Sequence, residues 1–424
     1  MASGIRIIIS CLVICLSINI VSTSTSSSME KGYSMYEFLS FRVETYTNYI
    51  ETASVAIGDM NGNGYKDIAV VYDDYSSNNK FMLAVYEYDG INIYKLSSIN
   101  DFKIGTPGII VVEPTNTYMY DYDDDGKDEL FIYGTYNGST GVFVFSLSSN
   151  GTLNLDRYFG GSDSAILLIN NIRYLVVSGD GIYRIDNGNF IYINATESIS
   201  SGFVRTGNFS NNSNIAVLEK SYDSAYINFY SFKNEILTKV YSLSLNIPVE
   251  GWGNDVGYIV GYCKAHLIPN YYDMLFIVTY HNGYTTVSYK NAGFEQITTG
   301  VLNAPDDNAM CCAAGKIFGS NNTDRIVVGF DNYIYAALFR IYDFNNGDLT
   351  EIYSQPAEEG NTRVITIGDV NNDGTNDVVL GSKSRGYVRA FTETWVPEVK
   401  IPIIIPTVLT IYTIKFYIRI KTIS

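Results

Sequence analysis

The chain has 424 residues, a formal net charge of −16 and only two histidines. Nucleic-acid binding needs a basic face, so this balance excludes it as the main role. Two histidines leave little for nucleophile–base catalysis, and 37 tyrosines with 36 glycines suit strands and turns better than helices.

In chain order, residues 1–25 have the form of an export signal: Arg6, an apolar run over 7–20, and a small-residue exit at 21–24. A Ser/Thr linker at 26–32 leads into an aromatic, strand-like stretch at 36–42. The run 55–58 then enters a nine-residue segment, Asp59-Met-Asn61-Gly-Asn63-Gly64-Tyr65-Lys-Asp67, and 68–71 leaves it. Further strand patterns at 81–86 and 93–96 complete a unit of four. A second nine-residue segment, Asp121-Tyr-Asp123-Asp-Asp125-Gly126-Lys127-Asp-Glu129, is followed by the apolar run 130–133. Four degenerate echoes keep the strand pair without the acids: 165–169 with 174–177, 202–207 with 215–218, 258–263 with 274–278, and 313–318 with 326–329. The third full copy, Asp369-Val-Asn371-Asn-Asp373-Gly374-Thr375-Asn-Asp377, sits between 364–368 and 378–380.

Seven units at a spacing of roughly 50 residues match the blade of a four-stranded propeller. After the last loop one strand pattern remains, 387–391, before the chain leaves at 395–397. The missing outer strand is expected from 36–42, which removes an open sheet edge and ties the ends together. Residues 396–424 hold the apolar stretch 401–414 followed by Lys415, Arg419 and Lys421 without acids. This predicts a membrane anchor with a basic inner tail, leaving the domain at 33–395 outside.

In all three full segments, oxygen-bearing side chains stand at positions 1, 3, 5 and 9, with glycine at 6. A hard cation such as calcium needs this arrangement: alternate side chains point inward, a glycine makes the sharp turn, and the carbonyl at position 7 (Tyr65, Lys127 or Thr375) completes the set. An EF-hand would require a glutamate at position 12 on a helix. Here position 12 is Val70, Ile132 and Leu380, inside strand-like runs. Counting ligand charge ranks the second loop tightest and the first weakest.

The strand, loop and strand of these segments resemble the FG-GAP repeat, the blade unit of the integrin α propeller. The third segment matches most fully, running on into Leu380-Gly381-Ser382, and the second ends in Tyr133-Gly134. The first departs, with Tyr72-Asp73 after its strand. The resemblance implies an all-β, seven-bladed propeller with structural calcium and a role in adhesion or recognition of protein or carbohydrate. Two other readings are an envelope or coat scaffold of archaeal or viral kind, and a polysaccharide-acting enzyme built from acids of distant blades. The chain carries no G-x-S-x-G elbow or phosphate loop, so the non-enzymatic reading leads.

The exported part keeps Cys263, Cys311 and Cys312, an odd number, and a bridge from Cys263 to Cys311 or Cys312 is expected across adjacent units. C-x-x-C pairs are absent and the histidines lack ligand partners, which argues against zinc. Sequons at Asn137, Asn150, Asn194, Asn208, Asn211 and Asn321 are candidate glycan sites on an exported chain.

Overall fold

The computed structural model describes residues 33–395, apart from 44–49, 75–79, 103–115, 222–223, 250–252, 255–258, 305–306, 320–322, 333–336, 346, 357–361 and 383–385. The expected signal, linker and anchor, and the sequon at Asn321, lie outside the described residues. Residues 35–393 form one compact unit. No helix among the described residues is long and apolar enough to cross a membrane.

The strands pair into seven four-stranded sheets, with one two-stranded ribbon, Pro248–Val249 with Gly253–Asn254, between the fourth and fifth. Six sheets are consecutive runs of the chain. The seventh joins Thr362–Gly368, Asp377–Ser382 and Tyr387–Trp395 to an outer strand from the opposite end, Tyr33–Arg42. The first strands of all seven sheets line one shared channel of about 390 Å³. The fold is a seven-bladed β-propeller.

The apolar runs that mark each blade's second strand follow from burial on both faces. In the first blade, Ile68, Val70 and Tyr72 pack toward the seventh, while Ala69 and Val71 pack toward the second. Seven such clusters occupy the gaps between successive blades. The one that closes the ring joins Leu39, Phe41 and Val43 to Val379, Val388 and Val70. Polar contacts lock the same seam: the Val43 N–H donates to the Gly386 carbonyl at 3.0 Å, and the Thr52 hydroxyl to the Ser382 carbonyl at 2.7 Å. The expected closure by 36–42 is present, with the strand three residues longer at its start. The echo near Arg173 forms a complete third blade.

A clasp invisible in the repeat pattern ties blade to blade. The residue just before a second strand reaches back to the end of the previous blade's first strand. Asp128 accepts the Asp59 N–H at 2.7 Å and donates its own N–H to the Asp59 carbonyl at 2.8 Å. Asp273 does the same to Asn208, and Asp324 to His266. Asp273 and Asp324 therefore occupy position 8 of their degenerate loops, and Met274 and Arg325 take position 9. A glycine precedes two of the acceptors because a Cβ there would strike the clasp: at Gly58 it would lie 2.8 Å from Asp128 Oδ2, and at Gly207 it would lie 2.6 Å from Asp273 Oδ2. Asp273→Ala is expected to cost about 1 kcal/mol. Its denaturation midpoint should fall equally with calcium or chelator present; a calcium-dependent loss would contradict a purely structural clasp.

The second to fifth blades share a different tie. Buried Asp163 accepts the Asn116 N–H at 2.8 Å, the Val204 N–H at 2.9 Å and the Arg205 guanidinium at 3.0 Å. Arg205 then donates from Nε and Nη2 to the Tyr262 carbonyl, so one ion pair spans four consecutive blades. A buried pair whose remaining donors and acceptors are met in this way offsets its desolvation.

Candidate metal centres

The three nine-residue segments fold alike. Position 4 is left-handed in each (Gly62 φ 72°, Asp124 φ 61°, Asn372 φ 57°), and so is position 6 (Gly64 86°, Gly126 86°, Gly374 85°). Glycine, aspartate and asparagine tolerate that region best, so position 4 carried a sequence signal alongside the glycine at 6. The backbone then curls around the side chains. Asp59, Asp121 and Asp369 at position 1 accept the N–H of the glycine at 6, at 2.7, 3.0 and 2.9 Å. Asn61, Asp123 and Asn371 at position 3 accept from position 5 at 3.0, 3.2 and 3.0 Å. Asn63, Asp125 and Asp373 at position 5 accept from Tyr65, Lys127 and Thr375 at 2.9, 2.8 and 2.8 Å.

Position 2 is a buried apolar anchor, Met60, Tyr122 or Val370, with Phe209, Leu267 and Ile317 in the same place in blades whose loops lack the acids. Its N–H donates to the position 9 carboxylate: Met60 to Asp67 Oδ2 at 2.7 Å, Tyr122 to Glu129 Oε2 at 3.2 Å, Val370 to Asp377 Oδ2 at 2.9 Å. The anchor thus draws the acid at 9 beneath the loop, where Asp67 and Asp377 are 0% exposed and Glu129 is 4% exposed.

Each loop holds one unsatisfied carboxylate oxygen. Oδ1 of Asp67 and of Asp377, at position 9, and Oδ1 of Asp121, at position 1, are each buried without a hydrogen-bond partner. A buried charged acceptor left unpaired is expensive, which is why such groups pair or coordinate metals. Burial pushes the Asp67 carboxyl up to about 7, against the opposing Met60 hydrogen bond and helped by repulsion from Glu87 and Asp59. Burial likewise pushes Glu129 up to about 8, with Asp123, Asp125 and Asp121 adding to it, and Asp377 up to about 6. In the second loop one ligand atom each from Asp121, Asp123 and Glu129 lies within 4.8 Å of the others. Asp125 stands outside this trio and faces the Lys127 ammonium at 3.9 Å. The donor set is all oxygen, carboxylate and amide, and fits a hard divalent cation.

The sixth blade puts a side-chain cation at the corresponding place. Arg325 stands at position 9 and donates from Nη1 to the Ile317 carbonyl at 2.5 Å and the Phe318 carbonyl at 3.3 Å. Its Nε pairs with Asp343 at 3.1 Å. The guanidinium is a covalently attached cation in the place where the other loops collect acids. The neighbouring loops touch as well: Asn372 Nδ2 donates to the Gly64 carbonyl at 2.7 Å, joining the seventh blade's loop to the first.

Of the cysteines, Cys263 and Cys312 come together, their Sγ atoms 3.4 Å apart on the channel wall. Cys311 turns into the core between the sixth and seventh blades, where burial pushes its thiol up to about 12. In an oxidising compartment Cys263 and Cys312 are expected to join. Intact mass should then be lower by two hydrogens without reductant, and three alkylatable thiols in the unfolded exported chain would refute the pairing. Among the sequons, Asn137, Asn150, Asn194, Asn208 and Asn211 are all exposed. Of the histidines, His266 Nδ1 lies 3.3 Å from Asp273, and His281 rests against Tyr280.

No family model and no curated protein matches the chain. Among solved structures, a chain of the mitotic checkpoint complex aligns over 88% of this chain and 96% of its own, at 9% identity and TM-score 0.48. The Saccharomyces cerevisiae protein Sqt1 aligns over 85% and 99%, at 10% identity and TM-score 0.47. The N-terminal domain of Nup159 aligns over 87% and 98%, at 10% identity and TM-score 0.46.

Proposed function

We propose that this chain is an exported calcium-stabilised propeller of the FG-GAP kind, held at a cell surface or envelope, that recognises a protein or carbohydrate without catalysis. The observation that carries the calcium reading is the orphaned carboxylate oxygen in each of the three loops. Asp59, Asn61, Asn63 and Asp67 would hold one ion, Asp121, Asp123 and Glu129 a second, and Asp369, Asn371, Asp373 and Asp377 a third. Bound calcium cancels the repulsion among these acids and stiffens the hairpins on which recognition loops sit. Export and anchoring are supported by residues 1–25 and 396–424, five exposed sequons and a close cysteine pair.

Recognition is tested by a glycan array and a surface-protein pull-down, each run with calcium and with chelator. Calcium-dependent capture of a defined ligand is the expected outcome. Assembly of the purified protein into a regular lattice with no ligand captured would move the reading to an envelope scaffold. Turnover of a polysaccharide would replace it with an enzyme.

A further inference from the structure

The first loop is short of charge, with asparagine at positions 3 and 5, yet an acid outside the nine-residue pattern attends it. Glu87 lies on the third strand of the first blade, Lys80–Tyr88, directly across from Asp67. Its Oε2 accepts from the side-chain amide of Asn61 at 2.6 Å and from that of Asn63. The Oδ1 atoms of the same two amides accept backbone N–H groups of the loop, so each amide turns its nitrogen to Glu87 and its oxygen inward. Beneath them lies Asp67, 0% exposed, with Oδ1 unpartnered.

We propose that Glu87 is the third carboxylate of the first cation loop: a positioning residue that supplies the charge Asn61 and Asn63 lack and orients both amide oxygens toward the ion. The inference rests on the calcium reading of the loops. The sixth blade supports it independently. There the register Ile326↔Tyr342 places Arg325 opposite Asp343, the same third-strand position, and that acid binds the cation that the chain itself carries. The second and seventh blades, whose loops hold enough acids of their own, put hydroxyls at this position: Ser146 next to the Leu130↔Phe145 pair, and Thr392 next to Val378↔Phe391. An acid stands on the third strand where a cation would otherwise meet too little negative charge. With Glu87 counted, the first loop has three carboxylates (Asp59, Asp67, Glu87), as the third does (Asp369, Asp373, Asp377). The first site is then no longer the weakest by charge.

The test is calorimetric titration of the full chain with calcium. Asp59→Asn identifies the first loop by abolishing its binding event. Glu87→Gln, which keeps the shape and one acceptor oxygen, should weaken that same event about tenfold and leave the other two alone. Asn61→Asp added to Glu87→Gln should restore the affinity by returning the charge within the loop. Unchanged affinity in Glu87→Gln, with a lower melting temperature of the metal-free protein, would make Glu87 a mere hydrogen-bond acceptor and overturn the proposal. Equal weakening of all three events would overturn it too. A wild-type chain that takes up no calcium would remove the loop reading itself, and this inference with it.

Discussion

Stripping divalent ions is expected to lower the melting temperature of this protein by more than about 5 °C, because each site holding calcium at a hundredfold excess over its Kd would contribute about 2.7 kcal/mol to the folded state. The loops explain why the effect is large. Each places a carboxylate under a buried apolar anchor, gives one of its oxygens a backbone N–H, and leaves a neighbouring buried oxygen with nothing. Removing the ion exposes that deficit together with the repulsion among Asp121, Asp123 and Glu129. Glu129→Gln separates the two contributions. The neutral amide can still accept the Tyr122 N–H, so the metal-free variant should melt at or above the metal-free wild type, while its gain on adding calcium shrinks by about one site's share. Differential scanning calorimetry in chelator and in millimolar calcium reads both quantities. Superimposable wild-type curves under the two conditions would dispose of the calcium sites.

The metal-free protein should also lose stability as pH rises, the reverse of the usual behaviour of salt-bridged carboxylates. The folded carboxyls of Asp377, Asp67 and Glu129 hold their protons up to about 6, 7 and 8, whereas in the unfolded chain they release them near 4. Between those limits the folded state binds more protons than the unfolded one, so stability falls with increasing pH and levels off above about 8. Calcium would bind the deprotonated acids and displace their protons, so its affinity should climb through the same window. Melting curves measured from pH 5 to pH 8 should therefore diverge, falling in chelator and holding or rising in calcium. Parallel curves would mean that these acids are satisfied by something other than an ion.

Much of the architecture was legible because propeller blades repeat. Burial on both faces makes each second strand a continuous apolar run, and the recurrence of that run counted seven blades even where loop chemistry had decayed. The outer strand from 33–42 was predictable because the last blade came up one strand short. Other features do not repeat in a way that a single chain displays. Asp273 and Asp324 look like remnants of a position 9 ligand; only the strand starts at Met274 and Arg325 show that they are position 8 clasps. The Asp163–Arg205 pair joins residues 42 apart through a channel wall that no spacing rule anticipates. Glu87 and Asp343 act from a third strand, across a register that is fixed only after the hairpins pair. The buried apolar residue at position 2 was visible in Met60, Tyr122 and Val370, but its meaning depends on the acid its N–H holds.

The ring was joined at its seventh blade, and the three acid-rich loops fall on that blade and its two followers, in contact through Asn372 with Gly64 and Asp59 with Asp128. The remaining blades rely on bonds the chain carries within itself. Ion depletion should therefore not loosen the molecule evenly. Amide exchange and protease cutting ought to begin along the arc where head and tail of the polypeptide meet, so that calcium acts as a latch on circular closure while the opposite arc stays intact.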